Sequence, residues 1–225
     1  MPKSRKKSNI APRRKLNIFC EGKKTEPSYL NGYILSLEES AIEPLIQIKE
    51  TNKNTAVQLV DEAVTAKYSR DSLPDDEFWV VYDREATAKY DNSLHEKAFS
   101  KAKKEGINVA ISNVCFEYWI LLHFEYTDAP FNNFEELISK SRLNEFMCNL
   151  TKSKYDKSCE EIFQRIGHKI NDARKWGQRL NLNGINASVM GRDKPYLINP
   201  YVGIVELLDA IDKFRGNVMK DPHHY

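Results

Sequence analysis

Short apolar runs alternate with longer amphipathic segments through the first half of the chain. Four of these runs predict strands: Leu16–Cys20, Ile42–Ile48, Phe78–Tyr82 and Ile107–Ser112. The five apolar residues of Phe78–Tyr82 show no alternation, which is typical of a central parallel strand covered on both faces. Because helical segments follow the strands, the pattern indicates an α/β fold with a mainly parallel four-stranded sheet and flanking helices.

Local signals mark where the helices of this half begin and end. Pro27 lies near the start of the segment after the first strand, where its missing N–H costs a helix little. Thr55 is a predicted N-cap for a helix whose apolar residues recur at spacings of three and four. Gly106 is a predicted C-cap for the helix Leu94–Glu105, just before the fourth strand.

The second half of the chain has a helical pattern without further predicted strands. The predicted helices are Phe116–Phe124, Phe134–Ser141, Cys159–Leu180 and Val202–Phe214, and Asn181–Pro200 is loop-like. We therefore divide the chain into a basic flexible arm at residues 1–13, an α/β domain at residues 14–125, and a helical extension at residues 126–225 packed on that domain.

Composition narrows the class of protein. The chain has 225 residues, of which 41% are hydrophobic and 29% charged, enough apolar residues for an ordinary core. No apolar stretch approaches the ~20 residues that a membrane span requires, so we expect a soluble cytoplasmic protein. The four cysteines form no CxxC pair, which favours reduced thiols over a zinc module or a disulfide framework.

The net charge of +2 conceals an uneven distribution. Met1–Lys15 holds 7 of the 34 basic residues and no acid, which leaves 27 basic against 32 acidic residues in the rest of the chain. Such an arm suits a phosphate backbone or the acidic face of a partner. A short solubilising end explains the same composition equally well.

Acidic residues follow two of the predicted parallel strands. Glu21 follows the first strand, and Asp83 and Glu85 follow the third, where spacing of two in an extended backbone points both carboxylates to one side and Arg84 to the other. Ligands collect at the carboxyl ends of parallel strands. Carboxylates that meet there would repel each other unless a hard divalent cation bound them, so magnesium or manganese is implied.

The segment Glu21–Glu26, with the sequence EGKKTE, adds features that suit phosphate binding. Gly22 permits close backbone approach, and the helix that follows presents unpaired N–H groups. Lys23 and Lys24 would then hold a nucleic-acid backbone, with Thr25 beside them. Alternatively, Glu21 caps the helix and the two lysines are solvated surface residues.

Three sequence segments together resemble one bacterial family. The segments LNIFCEGKKTEPSYL, FWVVYDRE and ISNVCFEYWILLHF, with Tyr155–Lys157 and the closing INPYVGIVELLDAI, are similar to the RloB family. That family is linked to restriction–modification loci and to phage abortive infection of the AbiLii type, and its core resembles a TOPRIM domain. The resemblance implies a magnesium-dependent enzyme that acts on nucleic acid with a neighbouring ATPase of the AAA or ABC type as its partner.

The resemblance also suggests roles for individual residues. Glu21 would be a general acid/base or metal-associated carboxylate, and Asp83 a metal ligand. Glu85 stands where the TOPRIM pattern has a second aspartate; its longer side chain can still reach an ion, but a direct ligand role is open. Arg84 and Asn113, beside the acids at the ends of the third and fourth strands, complete the predicted substrate-binding residues with Lys23, Lys24 and Thr25.

A further acid lies on the predicted helix Phe116–Phe124. Glu117 and His123 are six residues apart and face different directions, so both are not expected to reach one site. Glu117 is the better candidate, because a carboxylate on an apolar helix needs a structural or functional reason. His123 is predicted to be a buried structural histidine.

Two functions fit these patterns. The first is a metal-dependent nuclease of phage defence. Its predicted catalytic carboxylates are Glu21, Asp83, Glu85 and Glu117. The second is a non-catalytic TOPRIM-like regulator or adaptor that binds nucleic acid or the ATPase, and the glutamate at position 85 is its best support. A serine hydrolase has no support, because no serine lies in a GxSxG sequence.

Overall fold

A computed structural model describes residues 13–37, 45–49, 51–53, 55–189 and 194–220. In these residues the chain forms an α/β fold around a five-stranded sheet of order β2-β1-β3-β4-β5. The strands are β1 Leu16–Cys20, β2 Ile46–Lys49, β3 Glu77–Asp83, β4 Asn108–Asn113 and β5 Tyr201–Val202. Strands β1 to β4 are parallel to their neighbours, and the short β5 is antiparallel to β4.

The register of the sheet brings the ends of β1, β3 and β4 together. Cys20 pairs with Val81, so that Glu21, the next residue, lies beside the last residues of β3. Asp83 pairs in turn with Ser112 near the end of β4. Since these strands are parallel, their carboxyl ends meet at one edge of the sheet, as the sequence predicts.

Helices cover both faces of the sheet. They are α1 Thr25–Ser36, α2 Ala56–Lys67, α3 Asn92–Glu105, α4 Glu117–Leu121, α5 Phe134–Lys140, α6 Leu143–Thr151, α7 Ile162–Ile166, α8 Ile170–Ala187 and α9 Ile204–Lys220. The predicted caps are confirmed: Thr55 accepts a hydrogen bond from the Gln58 amide, and Gly106 ends α3 in the left-handed conformation with φ of 63°.

Two apolar clusters stabilise the fold, one on each face of the sheet. Alternate residues of β3 face opposite clusters: Val81 packs with helices α1, α4 and α9, whereas Val80 and Tyr82 pack with α2 and α3. The middle of β3 is therefore buried on both faces, which explains its unbroken apolar run.

The second half of the chain differs from the prediction in four ways. Strand β5 adds a fifth strand where only helices were expected, and α6 was not predicted. The expected helix Cys159–Leu180 is interrupted, because α7 ends at Ile166 and a short 3-10 segment precedes α8. Helix α8 then continues to Ala187, seven residues into the segment predicted to be a loop.

Residues 1–12, most of the predicted arm, lie outside the described residues. Of the basic run, Arg14 is ion-paired with Glu77 and Lys15 donates its amide to Asp76 at 2.7 Å, so the end of the run contacts the α/β fold. In the part of the chain that the structure describes, no helix has the length and apolar character needed to cross a membrane.

Candidate active site

A cavity of about 370 Å³ lies at the carboxyl ends of β1 and β3. We refer to it as the carboxylate cavity, because five of the residues that line it are acidic. They come from separate parts of the chain: Glu21, Glu26, Asp83, Glu85 and Glu117. Lys23, Lys24, Thr25 and Lys157 also line it.

The turn between β1 and α1 supplies two of these carboxylates. The Glu21 amide extends the β1–β3 pairing by donating to Val81 O at 2.9 Å, and its Oε2 accepts from the Asp83 amide at 3.4 Å. Glu26, in the first turn of α1, folds back over Gly22. A Cβ atom at Gly22 would lie 2.1 Å from Glu26 Oε2, so the glycine is what lets this carboxylate occupy its position.

The end of β3 supplies Asp83 and Glu85. Both line the cavity, whereas Arg84 between them does not, as the spacing predicts. Glu85 has φ of 59°, a left-handed conformation that is uncommon for a residue other than glycine and is found most often where function fixes the backbone. Lys89 donates to Glu85 Oε1 at 2.8 Å.

Glu117 begins α4 and is almost fully buried, with its residue 1% exposed. Its Oε1 accepts from the Tyr155 hydroxyl at 3.0 Å and lies 3.4 Å from Lys157 Nζ. The backbone carbonyl of Lys157 accepts from the Thr25 hydroxyl at 2.8 Å, which ties this segment to the start of α1. Lys157, which is distant in sequence from the predicted acids, thus lines the cavity, and Tyr155 supports Glu117 through its hydroxyl.

Burial, and then the charge of neighbouring acids, raises the pKa of three of the carboxylates, Glu21, Glu26 and Asp83. Burial is the largest cause, and it raises the pKa of Glu21 to about 7, with further contributions from the charges of Glu85 and Glu26. Burial likewise raises the pKa of Glu26 to about 7, with Glu117 and Glu85 adding to the effect. The pKa of Asp83 is well above its usual range, through burial and then the charges of four neighbouring glutamates.

Lys157 responds in the opposite sense to the same charges. Burial opposes its protonated form, but the negative charges of Glu117 and Asp83 outweigh that effect and raise its pKa. Its ammonium group also lies 3.7 Å from the centre of the Phe134 ring. The cavity therefore keeps a positive charge beside its deepest carboxylates.

The chemistry of these side chains fits a divalent cation. Within the described residues, the buried atoms Asp83 Oδ1 and Glu117 Oε2 have no hydrogen-bond partner, and a hard cation would satisfy oxygen atoms of this kind. Among the same residues, no three acidic, histidine or cysteine side chains are grouped closely enough to hold one ion as they stand. Ligation would therefore require side-chain rotation within the cavity.

The predicted substrate-binding residues divide into two groups. Lys23, Lys24 and Thr25 line the cavity, as expected. Arg84 and Asn113 are buried elsewhere: Arg84 Nε donates to Tyr196 O at 3.1 Å, and Asn113 Nδ2 donates to Ile198 O at 2.7 Å. These two side chains stabilise the connection that leads into β5 and do not reach the cavity.

His123 lies away from the cavity, as the helix geometry predicts. It is 1% exposed, and its Nε2 lies 2.9 Å from the Tyr29 hydroxyl while its Nδ1 lies 3.0 Å from Trp119 O. Because the carbonyl can only accept, Nδ1 carries the proton and Nε2 accepts from Tyr29. Burial lowers the pKa of His123 to about 4, so the ring is a neutral structural residue at neutral pH.

Fold and cavity define an α/β protein with a carboxylate-rich site at the carboxyl ends of its parallel strands. A family model described as RloB-like protein matches residues 16–211, and the chain therefore belongs to the RloB-like family. Membership suggests a protein associated with restriction–modification loci. Comparisons with curated proteins and with solved structures gave no match.

Proposed function

We propose that this protein is a metal-dependent nuclease that hydrolyses phosphodiester bonds of nucleic acid. The observation that carries the proposal is the meeting of five carboxylates and three lysines in one cavity at the strand ends. A purely structural cluster would be expected to pair its acids with cations. Glu26 is instead buried, the Oδ1 atom of Asp83 is buried, and neither residue has an ion-pair partner within the described residues.

Glu21, Asp83 and Glu85 are the residues that would hold magnesium or manganese. The ion, when bound, supplies a water of lowered pKa and polarises the scissile phosphate. Glu21 is half-buried, and its raised pKa suits a group that exchanges a proton with the attacking water or the leaving oxygen. The charges of all four glutamates of the cavity act on Asp83 and raise its pKa.

The other residues of the cavity would bind the phosphates of the substrate and hold the carboxylates in position. Lys23 and Lys24 are exposed at the start of α1 and can contact phosphates on either side of the scissile bond. Tyr155 fixes Glu117, and Lys157 places its ammonium group beside the same carboxylate, where it can neutralise charge that develops on the phosphate. Both are expected to be needed for full activity.

We infer the cellular role from the family to which the chain belongs. We place the enzyme in anti-phage defence of the abortive-infection type, with a TOPRIM-like core and a nearby AAA or ABC ATPase as its partner. The body of the chain carries more acidic than basic residues, so nucleic acid is repelled from much of its surface. An ATPase that delivers or restrains the substrate would overcome that repulsion.

A cleavage assay with a matched control tests this proposal. The wild-type protein is incubated with single- and double-stranded DNA and with RNA, with and without the ATPase, in magnesium, manganese or chelator. We expect metal-dependent cleavage that Asp83→Asn abolishes and Asp172→Asn, an exposed change on α8, preserves. Cleavage that persists in the Asp83 variant would remove this residue from the mechanism.

A non-catalytic regulator or adaptor is the second candidate. The observation that favours it is that no three potential ligands of the described residues are grouped tightly enough for one ion. In that role the carboxylate cavity would bind a basic segment of the ATPase. Binding to the ATPase that Asp83→Asn weakens and Asp172→Asn preserves, together with no cleavage under any condition, would favour the adaptor.

A further inference from the structure

A second and larger hollow lies next to the carboxylate cavity. It has a volume of about 660 Å³ and lies between α1, the β2 region and α7. Gly22 and Lys23 line both spaces, so the β1–α1 turn separates the hollow from the cavity. We refer to this hollow as the amide groove, after the side chains Asn31, Asn52 and Gln164 that line it.

The amide groove presents hydrogen-bonding groups that the fold does not use. In the described part of the chain, the side chains of Ser28, Asn31 and Gln164 have no hydrogen-bond partner. Asn52 accepts from Lys23 Nζ at 2.8 Å, which leaves its amide nitrogen able to donate to a ligand. Carboxamides can donate and accept at once, which is what the edge of a nucleobase requires.

The charge of the groove also differs from that of the cavity. Among the described residues, Lys23 and Lys49 line it, against a single acid, Glu160. A phosphodiester strand that enters the carboxylate cavity must leave it, and the groove is the adjoining surface with a positive balance. Lys23, shared by both spaces, would contact a phosphate at the junction.

Apolar side chains also line the groove. Leu35 is 56% exposed on α1, and Ile48 lies opposite on β2. Exposed apolar surface beside unpaired amides suits the flat face and polar edge of a nucleobase. A pocket of this volume is the size of small-ligand sites, so it accommodates roughly one or two nucleotides and not a duplex.

We propose that the amide groove binds the unpaired nucleotides adjoining the scissile phosphate, and that the substrate is therefore single-stranded where the enzyme holds it. This inference rests on the proposed nuclease function and adds the strandedness of the substrate. Asn31 and Gln164 would recognise the edges of the bases, and Lys23 and Lys49 would contact the phosphate backbone.

Binding measured without cleavage tests the groove separately from the reaction. In an Asp83→Asn background, a short fluorescein-labelled oligonucleotide is titrated as single-stranded DNA, single-stranded RNA and duplex at physiological salt, and its anisotropy is followed. The groove variant combines Asn31→Asp with Gln164→Glu. The control combines Asn149→Asp with Gln178→Glu, which are exposed helical positions outside the groove and change the net charge equally.

We expect the groove variant to bind single strands about tenfold more weakly than the control, because both amide donors are lost. We also expect the duplex to bind more weakly than the single strands. Equal affinities of the groove and control variants, or a preference for duplex, would overturn the inference. The wild-type cleavage assay reports independently on the nuclease proposal, so failure of one does not imply failure of the other.

Discussion

Glu26 provides the sharpest test of the electrostatics of the carboxylate cavity. The residue is only 7% exposed, and its pKa is raised from 4.5 to about 7 by burial and by neighbouring carboxylates. A group whose folded-state pKa is raised contributes stability that is fully present below the unfolded pKa and is lost as the pH rises through the folded pKa. The window for Glu26 therefore runs from about pH 4.5 to about pH 7.

The expected loss of stability follows from the size of the pKa shift of Glu26. Each tenfold difference in proton affinity between folded and unfolded states is worth about 1.4 kcal/mol, so a rise from 4.5 to about 7 corresponds to about 3 kcal/mol. Glu26→Gln removes the ionisable group without changing its shape. Between about pH 5 and about pH 8 in chelator, the wild type should lose up to about 3 kcal/mol more of its free energy of unfolding than this variant.

Urea unfolding at the two pH values measures this difference directly. Glu135→Gln is the matched control, because Glu135 also lies in the first turn of a helix but is exposed and outside the cavity. The control should keep the wild-type pH dependence. If Glu26→Gln also keeps the wild-type pH dependence, folding does not raise the pKa of Glu26 and the electrostatic argument is wrong.

Two further predictions concern His123, which is buried away from the cavity, and Tyr155, which contacts a carboxylate of the cavity. Burial lowers the pKa of His123 from 6.5 to about 4, so stability present above about pH 6.5 is lost as the pH falls toward 4, by up to about 3 kcal/mol. His123→Gln should flatten that acid limb in urea titrations, and an unchanged limb would refute the neutral buried ring. Tyr155→Phe removes the 3.0 Å hydrogen bond to Glu117, and we expect nuclease kcat to fall about tenfold with magnesium affinity retained. An unchanged kcat would show that this bond does not serve the reaction.

The sequence predicted the parts of the fold that carry local signals. The uninterrupted apolar run of β3 and the cap residues Thr55 and Gly106 each act through neighbouring residues, and the structure confirms them. Strand β5 carries no such signal, because its two residues become a strand only by pairing with the end of β4, about ninety positions earlier.

The interruption before α8 begins at Gly167, the first residue of the 3-10 segment. Gly167 lies against the Phe163 ring, where a Cβ atom would come within 2.7 Å of the ring carbon Cζ. The periodicity of the segment gives no sign of this contact, since apolar spacing continues on both sides of the glycine. In place of the long helix predicted there, the structure has α7 and α8 joined by this 3-10 segment.

The sequence predicts those residues of the candidate site that have a local signal. Glu21, Asp83 and Glu85 were found because each follows an apolar run, and Glu117 because it interrupts an apolar helix. Glu26 was missed, because an acid in the first turn of a helix is ordinary on a surface. The signal that could have found it is Gly22, four residues earlier, whose missing side chain makes room for the carboxylate.

Arg84 shows the opposite case. Its charge and position beside two acids suggested substrate binding, but its guanidinium donates to backbone carbonyls of Tyr90 at 2.9 Å and Tyr196 at 3.1 Å. Alternation along β3 directs it to the face opposite the cavity. Its partners lie on the loop before α3 and on the connection into β5, which were not visible as neighbours in the sequence.

The central claim is that the acids of the cavity bind a divalent cation together. Isothermal titration calorimetry with magnesium and with manganese tests it most directly, on the wild type, on Asp83→Asn and on the exposed control Asp172→Asn. We expect millimolar or tighter binding by the wild type and the control, and none by the Asp83 variant. Absence of binding by the wild type, or equal binding by the Asp83 variant, would contradict it.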